Sequence, residues 1–232
     1  AALGTGIPFA LITWGVVEVD ASIAAILMGL MPLTVLVLAH FVTPDERMTV
    51  PKLIGILLGL AGLVVLFWPD LTGSDAAHAG SPLRFAAILL AAVCYAVNAL
   101  VTRRLGHLKP WPLYRLVMLW TLVILAPPAF LLERPFVAAP TLDGWIAILV
   151  LGLFSSALGS IVLFVIVARN GATFFGQINF LVPLFGVLWG ALFLGEAMTV
   201  YSGLALAAIL AGVAISRLSA NKPFIADKGT AP

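Results

Sequence analysis

The stretch DERMTVPKLIGILLGLAG (45–62) returns in altered form as GEAMTVYSGLALAAILAG (195–212). At an offset of 150 residues the two copies agree at seven of eighteen positions, four of them in the corner Glu-x-Met-Thr-Val. Each copy leads from a charged corner into an apolar helix. Apolar helices match one another easily by chance, but a shared charged corner is not apolar filler. The repeat therefore indicates that one structural unit occurs twice in the chain.

The repeat extends upstream of this corner. VDASIAAILMGLMPL (19–33) aligns with NGATFFGQINFLVPL (170–184) at an offset of 151, which places Pro32 on Pro183. Each unit thus contains a helix interrupted by proline, a corner and a second helix. Proline inside a helix removes one backbone hydrogen bond and bends or breaks the helix. We predict kinks at Pro32 and Pro183.

The composition of the chain predicts a membrane protein. Of its 232 residues, 62% are hydrophobic and only 9% are charged, whereas soluble domains carry about 25% charged residues. The mean hydropathy is +1.17. A surface so poor in charge suits lipid as its surroundings. The predicted fold class is all-α and integral to the membrane.

Apolar runs of about 20 residues, the length that crosses a bilayer, occur eight times. Proline, glycine and charged residues separate them. The predicted spans are 1–18, 21–42, 51–69, 83–103, 112–132, 143–167, 172–194 and 199–217. The polar segment 219–232 is expected to be a disordered tail, and the segment 70–82 is expected to be a linker between two halves.

The distribution of basic residues predicts the orientation of the spans. If the spans alternate, ten of the twelve Lys and Arg residues fall on one face. The ten are Arg47, Lys52, Arg103, Arg104, Lys109, Arg115, Arg169, Arg217, Lys222 and Lys228. Loops rich in Lys and Arg stay in the cytoplasm. We therefore predict a multi-pass protein of the bacterial inner membrane with a cytoplasmic C-terminus, in contact with lipid and not with nucleic acid.

The spacing of the two repeat units predicts their relative direction. Five spans separate equivalent helices, and an odd number of crossings inverts the second copy. Inverted repeats are typical of secondary transporters. A five-span unit makes 83–218 a complete second repeat and 1–69 the last three helices of the first. Eight spans would then be visible of ten, in a chain truncated at its N-terminus.

The run GLFSSALGSIVLFVIVARNGATFFGQINFLVPLFGVLWGALFLGEAMT (152–199) resembles the signature of EamA-type domains of the drug/metabolite transporter superfamily. The resembling features are a Gly-rich helix with a small hydroxyl residue, a Gly-Ala turn, a helix with Leu-x-Pro, and Leu-Gly-Glu. AVCYAVNALVTRRL (92–105) resembles the sixth helix of that family. The first corner departs from the pattern, since it reads Pro-Asp-Glu-Arg. The resemblance implies ten helices in two inverted repeats around a central cavity for small metabolites.

The resemblance and the repeat together predict a secondary transporter, expected to be an exporter of small metabolites or amino-acid-like compounds by alternating access. A non-transporting scaffold or sensor of the same fold is the alternative. The single cysteine, the scattered histidines and the lack of a phosphate loop or nucleophile elbow favour neither an enzyme nor a cofactor or metal site.

Polar residues within the spans are the candidates for the substrate path. Tyr95, Asn98 and Thr102 share one helical face, which the resemblance places on the cavity. The alternative role of such residues is hydrogen bonding between helices. The remaining candidates are Thr13, Trp14, Ser156, Gln177 and Asn179. For Trp14 the alternative is core packing, for Ser156 it is close packing of small residues, and for Asn179 it is a packing stripe with a structural kink.

The repeated corners are expected to be structural. Glu46 and Glu196 occupy equivalent positions and are predicted to cap and orient the last helix of each half. Glycines at 55 and 59 form a small-xxx-small face, which could meet Gly203, Ala207 and Ala211 of the last span. This face is predicted to brace the fold or to form a contact in a homodimer.

Overall fold

The computed structural model describes residues 2–44, 46–72, 81–132, 141–194 and 198–218. Within these ranges every regular element is helical, and the main helices coincide with the eight predicted spans. The first five helices are α1 (Gly6–Gly15), α2 in two segments (Ala21–Met28 and Met31–Val42), α3 (Val50–Leu66), α4 (Pro82–Arg104) and α5 (Pro110–Leu132). The last three are α6 in three segments (Leu142–Val150, Leu151–Leu158 and Gly159–Asn170), α7 in two segments (Ala172–Gly176 and Ile178–Leu194) and α8 (Val200–Leu218). A 3₁₀ turn, Ala2–Gly4, precedes α1, and a short helix, Trp68–Thr72, follows α3.

Five of the described helices are long and apolar enough to cross a membrane, namely α2, α4, α6, α7 and α8. The other three, α1, α3 and α5, are apolar but shorter over the described residues. Large apolar side chains on the outer faces of the bundle are exposed, including Phe41 of α2, Leu122 of α5 and Phe193 of α7. The chain is therefore an all-helical integral membrane protein. The count of eight crossings and the inversion of the repeats stay predictions.

Helix α2 is interrupted at the position that its proline dictates. Gly29 and Leu30 form a turn, and the N–H of Leu30 donates to the carbonyl of Leu27 at 3.1 Å. Pro32 then stands in the first turn of the second segment, where its missing N–H costs nothing because first-turn donors have no partner within the helix. The kink was predicted at Pro32, and the helix is interrupted just ahead of it, at Gly29 and Leu30.

Helix α7 is interrupted at Gln177, six residues before Pro183. There the N–H of Gln177 donates to Phe174 at 3.2 Å and the N–H of Phe180 donates to Gln177 at 3.1 Å, as in a tight 3₁₀ turn. Pro183 itself lies inside the second segment. The two aligned prolines therefore stand differently relative to the interruptions of their helices.

Among the described residues, the two larger of three buried clusters hold most of the helices together. One joins α2, α4, α6 and α7 through Val35, Ala39, Ala96, Val167 and Ala172. Its small side chains let α4 approach its neighbours closely. The other joins α2, α3, α7 and α8 and includes Leu36, Ile56, Leu63, Phe180 and Ile209. Helix α2 contributes to both clusters and so links the first half of the chain to the second.

Candidate functional site

A cavity of about 200 Å³ lies where the turn ahead of α1 meets α4, α5 and α6. The turn belongs to the predicted first half of the chain and the three helices belong to the second. The lining residues are Gly4, Thr5, Asn98, Val101, Thr102, Leu105, Leu113, Tyr114, Val117, Met118, Ser160, Leu163 and Phe164. The wall is apolar with five uncharged polar side chains. Ligand sites of proteins combine an apolar wall with a few polar groups in the same way.

Asn98 is the most versatile polar group of this cavity. Its amide carries two donors and one acceptor. In the part of the chain that the structure describes, its side chain makes no hydrogen bond. Tyr114, by contrast, donates its hydroxyl to the carbonyl of Ser156 at 3.5 Å. Because it has no partner among the described residues, the Asn98 amide beside the cavity is available to a ligand.

The structure brings together some of the sequence-predicted path residues on α4 and separates others. Asn98 and Thr102 both line the cavity. Tyr95 instead packs against the buried cluster around Val35 and Ala96. Tyr95, three residues before Asn98, faces α2. The three residues predicted to share a helical face therefore divide between the cavity and the buried cluster.

Thr13 and Trp14 lie at the far end of α1 from the cavity. Both are exposed, and the guanidinium of Arg84 stacks on the Trp14 ring at 3.9 Å from its centroid. Arg84 also donates to the carbonyl of Trp14 and forms an ion pair with Glu18 at 3.0 Å. These contacts hold the end of α1 and the residues after it against the beginning of α4. The chain reaches the cavity instead through Gly4 and Thr5, which precede α1.

The serine of α6 that lines the cavity is Ser160, one turn after the predicted Ser156. The side chain of Ser156 is exposed, and only its carbonyl takes part, as the acceptor for Tyr114. Ser156 lies in the π-helical segment Leu151–Leu158. A wider turn shifts the phase of the helix, and π segments often occur at functional sites. The small-residue pattern could not indicate this shift.

Gln177 and Asn179 connect helices and do not line the cavity. Gln177 is 4% exposed and donates through Nε2 to Ser216 Oγ of α8 at 2.5 Å. Its Oε1 has no hydrogen-bond partner among the described residues. Asn179 donates through Nδ2 to the sulfur of Met31 in α2 at 2.8 Å. In this conformation both amides join α7 to its neighbours.

The corner residue Glu46 caps a helix of the other half. Its carboxylate accepts the backbone N–H of Ala172 and that of Thr173, each at 2.7 Å, at the start of α7. Gly171 before them has φ of +93°, and a Cβ there would lie 2.6 Å from Glu46 Oε1. The prediction that Glu46 caps the last helix of its own half is therefore wrong. The equivalent Glu196 lies outside the described residues.

Arg103 completes a cluster of helix ends around Glu46. Its Nε lies 3.4 Å from Glu46 Oε1, and its Nη1 donates to the carbonyls of Val167 at 3.3 Å and Ala168 at 2.6 Å. The neighbouring Arg104 donates to the carbonyl of Val42 at 3.2 Å. Arginines at the C-terminal ends of helices and a carboxylate at an N-terminal end each complement the helix dipole. We call Glu46, Arg103 and the backbone groups that they bind the helix-end cluster.

The Gly55 face of α3 packs within the chain against α8. A Cβ on Gly55 would meet the carbonyl of Gly212, and one on Gly62 would lie 2.8 Å from Ile209. The expectation of a bracing contact is thus met, although the partner face was predicted wrongly. Gly203, Ala207 and Ala211 are exposed. The α8 residues in contact include Ala208 and Gly212, each one position after a predicted residue.

Several cavity residues were missed by sequence reasoning. Helix α5 contributes four of them, namely Leu113, Tyr114, Val117 and Met118. Their i, i+4 spacing gives one face, and Tyr114 is the polar residue on it. The exposed Arg115 next to it does not line the cavity. Apolar residues dominate this face, so hydropathy could not separate it from a face turned to lipid.

The helical membrane fold with a small cavity between helices is that of a multi-pass membrane protein. A family model described as the EamA-like transporter family matches residues 1–68 and 84–218, and the chain belongs to this family. It is a membrane transporter.

Named relatives agree with this assignment. Protein PagO of Salmonella typhimurium is 23% identical over 94% of this chain and 70% of its own length. The uncharacterized transporter YdeK of Bacillus subtilis is 26% identical over 84% of this chain and 66% of its own length. The chain thus spans about two thirds of these relatives. A solved crystal structure at 22% identity covers 95% of this chain with a TM-score of 0.78, which supports the fold.

Proposed function

We propose that this protein is a secondary transporter that moves small metabolites across the bacterial inner membrane by alternating access, with export as its physiological direction. The observation that carries the proposal is the cavity between three helices of the predicted second half and the turn at Gly4 and Thr5 of the first. It joins an apolar wall to Asn98, whose amide has no partner among the described residues. A site at the junction of two repeats is where inverted-repeat transporters bind their substrates.

Alternating access requires a set of contacts that closes one side. The helix-end cluster supplies such contacts, because Glu46 and Arg103 tie the ends of α4, α6 and α7 to the corner after α2. These residues lie on the face that the charge pattern predicts to be cytoplasmic. In the proposed cycle the cluster holds this face closed and separates when the cavity opens to the cytoplasm.

The proposal is tested by solute counterflow into proteoliposomes that contain the full chain. The panel consists of radiolabelled neutral amides, amino acids, carboxylates and amines. We expect counterflow of at least one compound and a markedly lower rate for Asn98→Ala. Thr34→Val is the matched control, since the Thr34 hydroxyl bonds its own helix at the Leu30 carbonyl, 3.0 Å away. Absence of counterflow throughout would favour the scaffold or sensor alternative.

A further inference from the structure

The chemistry of the cavity wall indicates which substrates it can hold. Its lining contains no Lys, Arg, Asp, Glu or His among the described residues. The nearest cations on α4, Arg103 and Arg104, are engaged with Glu46 and with helix-end carbonyls. Removing an ion from water without a counter-charge is strongly unfavourable. The wall therefore offers no compensation for a net charge or for the separated charges of an amino acid.

The polar groups of the wall suit a neutral ligand. Asn98 can donate and accept at once, and Thr5, Thr102 and Ser160 add hydroxyls that can do either. None of these four side chains makes a hydrogen bond within the described ranges. Lining residues such as Val101, Leu113 and Phe164 provide apolar contact. A volume of about 200 Å³ lies below the roughly 300–1,000 Å³ of pockets for drug-sized ligands.

Resting on the proposed function, we propose that the substrate is a small, uncharged molecule with an apolar body and an amide-like or hydroxyl group that binds Asn98. Such a group satisfies the Asn98 amide at both ends, and an ionised group of the same size does not recover its lost hydration. This narrows the sequence-based expectation, because amino-acid-like zwitterions are disfavoured.

Three probes of similar size and different charge test this assignment: benzamide, benzoate and benzylamine. Binding to the purified full chain in nanodiscs is measured by thermal stabilisation and by ligand-observed NMR near pH 7, without any gradient. We expect benzamide to bind at least about tenfold more tightly than either ion. Equal or tighter binding of an ion, or binding of none of the three, would overturn the assignment.

Variants test whether Asn98 makes the contact. Asn98→Leu removes the amide at similar volume and is expected to weaken benzamide about fivefold or more. Gly4→Ala keeps the Asn98 residue, but its new Cβ would lie 2.6 Å from Asn98 Oδ1 and would push the amide group out of its position. It is expected to weaken benzamide in the same direction. Unchanged affinity in both folded variants would exclude Asn98 as the ligand group.

Gly203→Ala is the matched control for Gly4→Ala, since a Cβ at Gly203 meets nothing within 4 Å. It should bind benzamide as the unmodified chain does. The outcomes also separate this inference from the proposed function. Preference for an ion combined with normal counterflow would reject the substrate class and retain the transporter. Preference for benzamide without counterflow of any panel compound would reject the transporter and retain the uncharged ligand class of the cavity.

Discussion

Glu46 shows how a carboxylate can be buried next to a membrane-spanning fold. Only 6% of the residue is exposed. An unpaired buried charge would be strongly destabilising, but two backbone N–H groups and Arg103 surround this one. Its two oxygens each face a donor at the first turn of α7, where the helix dipole also favours a negative charge. Charge, hydrogen bonding and helix direction all act in the same sense at this residue.

Glu46→Gln is expected to lower the free energy of unfolding by about 3 kcal/mol, the scale for breaking a buried ion pair. The amide nitrogen of the new side chain would face a backbone N–H, because both carboxylate oxygens are acceptors in the native contact. SDS titration followed by tryptophan fluorescence measures the change.

Glu18→Gln is the control for Glu46→Gln. Glu18 also pairs with an arginine, Arg84, but its side chain is 44% exposed. Exposed pairs contribute about 0–1 kcal/mol, so this variant should unfold almost as the unmodified chain does. Similar losses of unfolding free energy in the two variants would contradict the stabilising role of Glu46 in the helix-end cluster.

At the scale of the elements, the crossing of α3 and α8 depends on glycines that face each other. A Cβ on Gly55 would meet the Gly212 carbonyl, and a Cβ on Gly212 would lie 3.0 Å from the backbone nitrogen of Gly59. Backbone atoms cannot rotate away as a side chain can. Close approach of backbones is what small residues permit in membrane helices. This crossing holds α3 to α8 without a polar anchor at the glycines.

Gly55→Ala is therefore expected to separate α3 from α8 and to lower the free energy of unfolding by about 1–3 kcal/mol, the scale of overpacking. Gly203→Ala on the exposed face of α8 is its control and should be neutral or stabilising by up to about 1 kcal/mol, since alanine favours a helix. SDS titration compares the two. Equal stability of both variants would show that the crossing tolerates a Cβ.

At the scale of the whole molecule, charge differs between the two ends of the helices. Helix α4 carries Arg84 near its beginning and Arg103 and Arg104 at its end. The end with two arginines gathers the helix-end cluster, and Arg217 stacks on the Phe174 ring nearby at 4.5 Å. Three of the basic residues counted along the sequence, Arg103, Arg104 and Arg217, thus make contacts at this end of the bundle. This arrangement supports the proposed cytoplasmic orientation of that end.

Cysteine labelling tests the orientation. With the buried Cys94 replaced by alanine, single cysteines are placed at Met48, Leu108 and Thr72, which are exposed in connections between helices. Met48 and Leu108 should react with an impermeant maleimide only in inside-out vesicles. Thr72 should react only in intact cells, because it follows the next crossing. Reaction of all three from one side would reject the proposed topology.

The sequence by itself determined the membrane class, the position of the apolar helices and the family. Hydropathy and the spacing of charges act locally, so a single chain displays them. The repeat also indicated Glu46 as a structural corner, and helical spacing indicated Asn98. These features depend on residue type and on neighbours within one or two turns.

Only the tertiary structure decided which surfaces meet. It placed Glu46 on α7, turned Tyr95 into the core, replaced Ser156 by Ser160 in the cavity and moved the contact face of α8 from Gly203 to Gly212. The last three of these depend on the rotation of a helix about its axis. In an apolar helix exposed to lipid, hydropathy is similar on all sides, so the rotation is set by packing between helices and not by the sequence of any one of them.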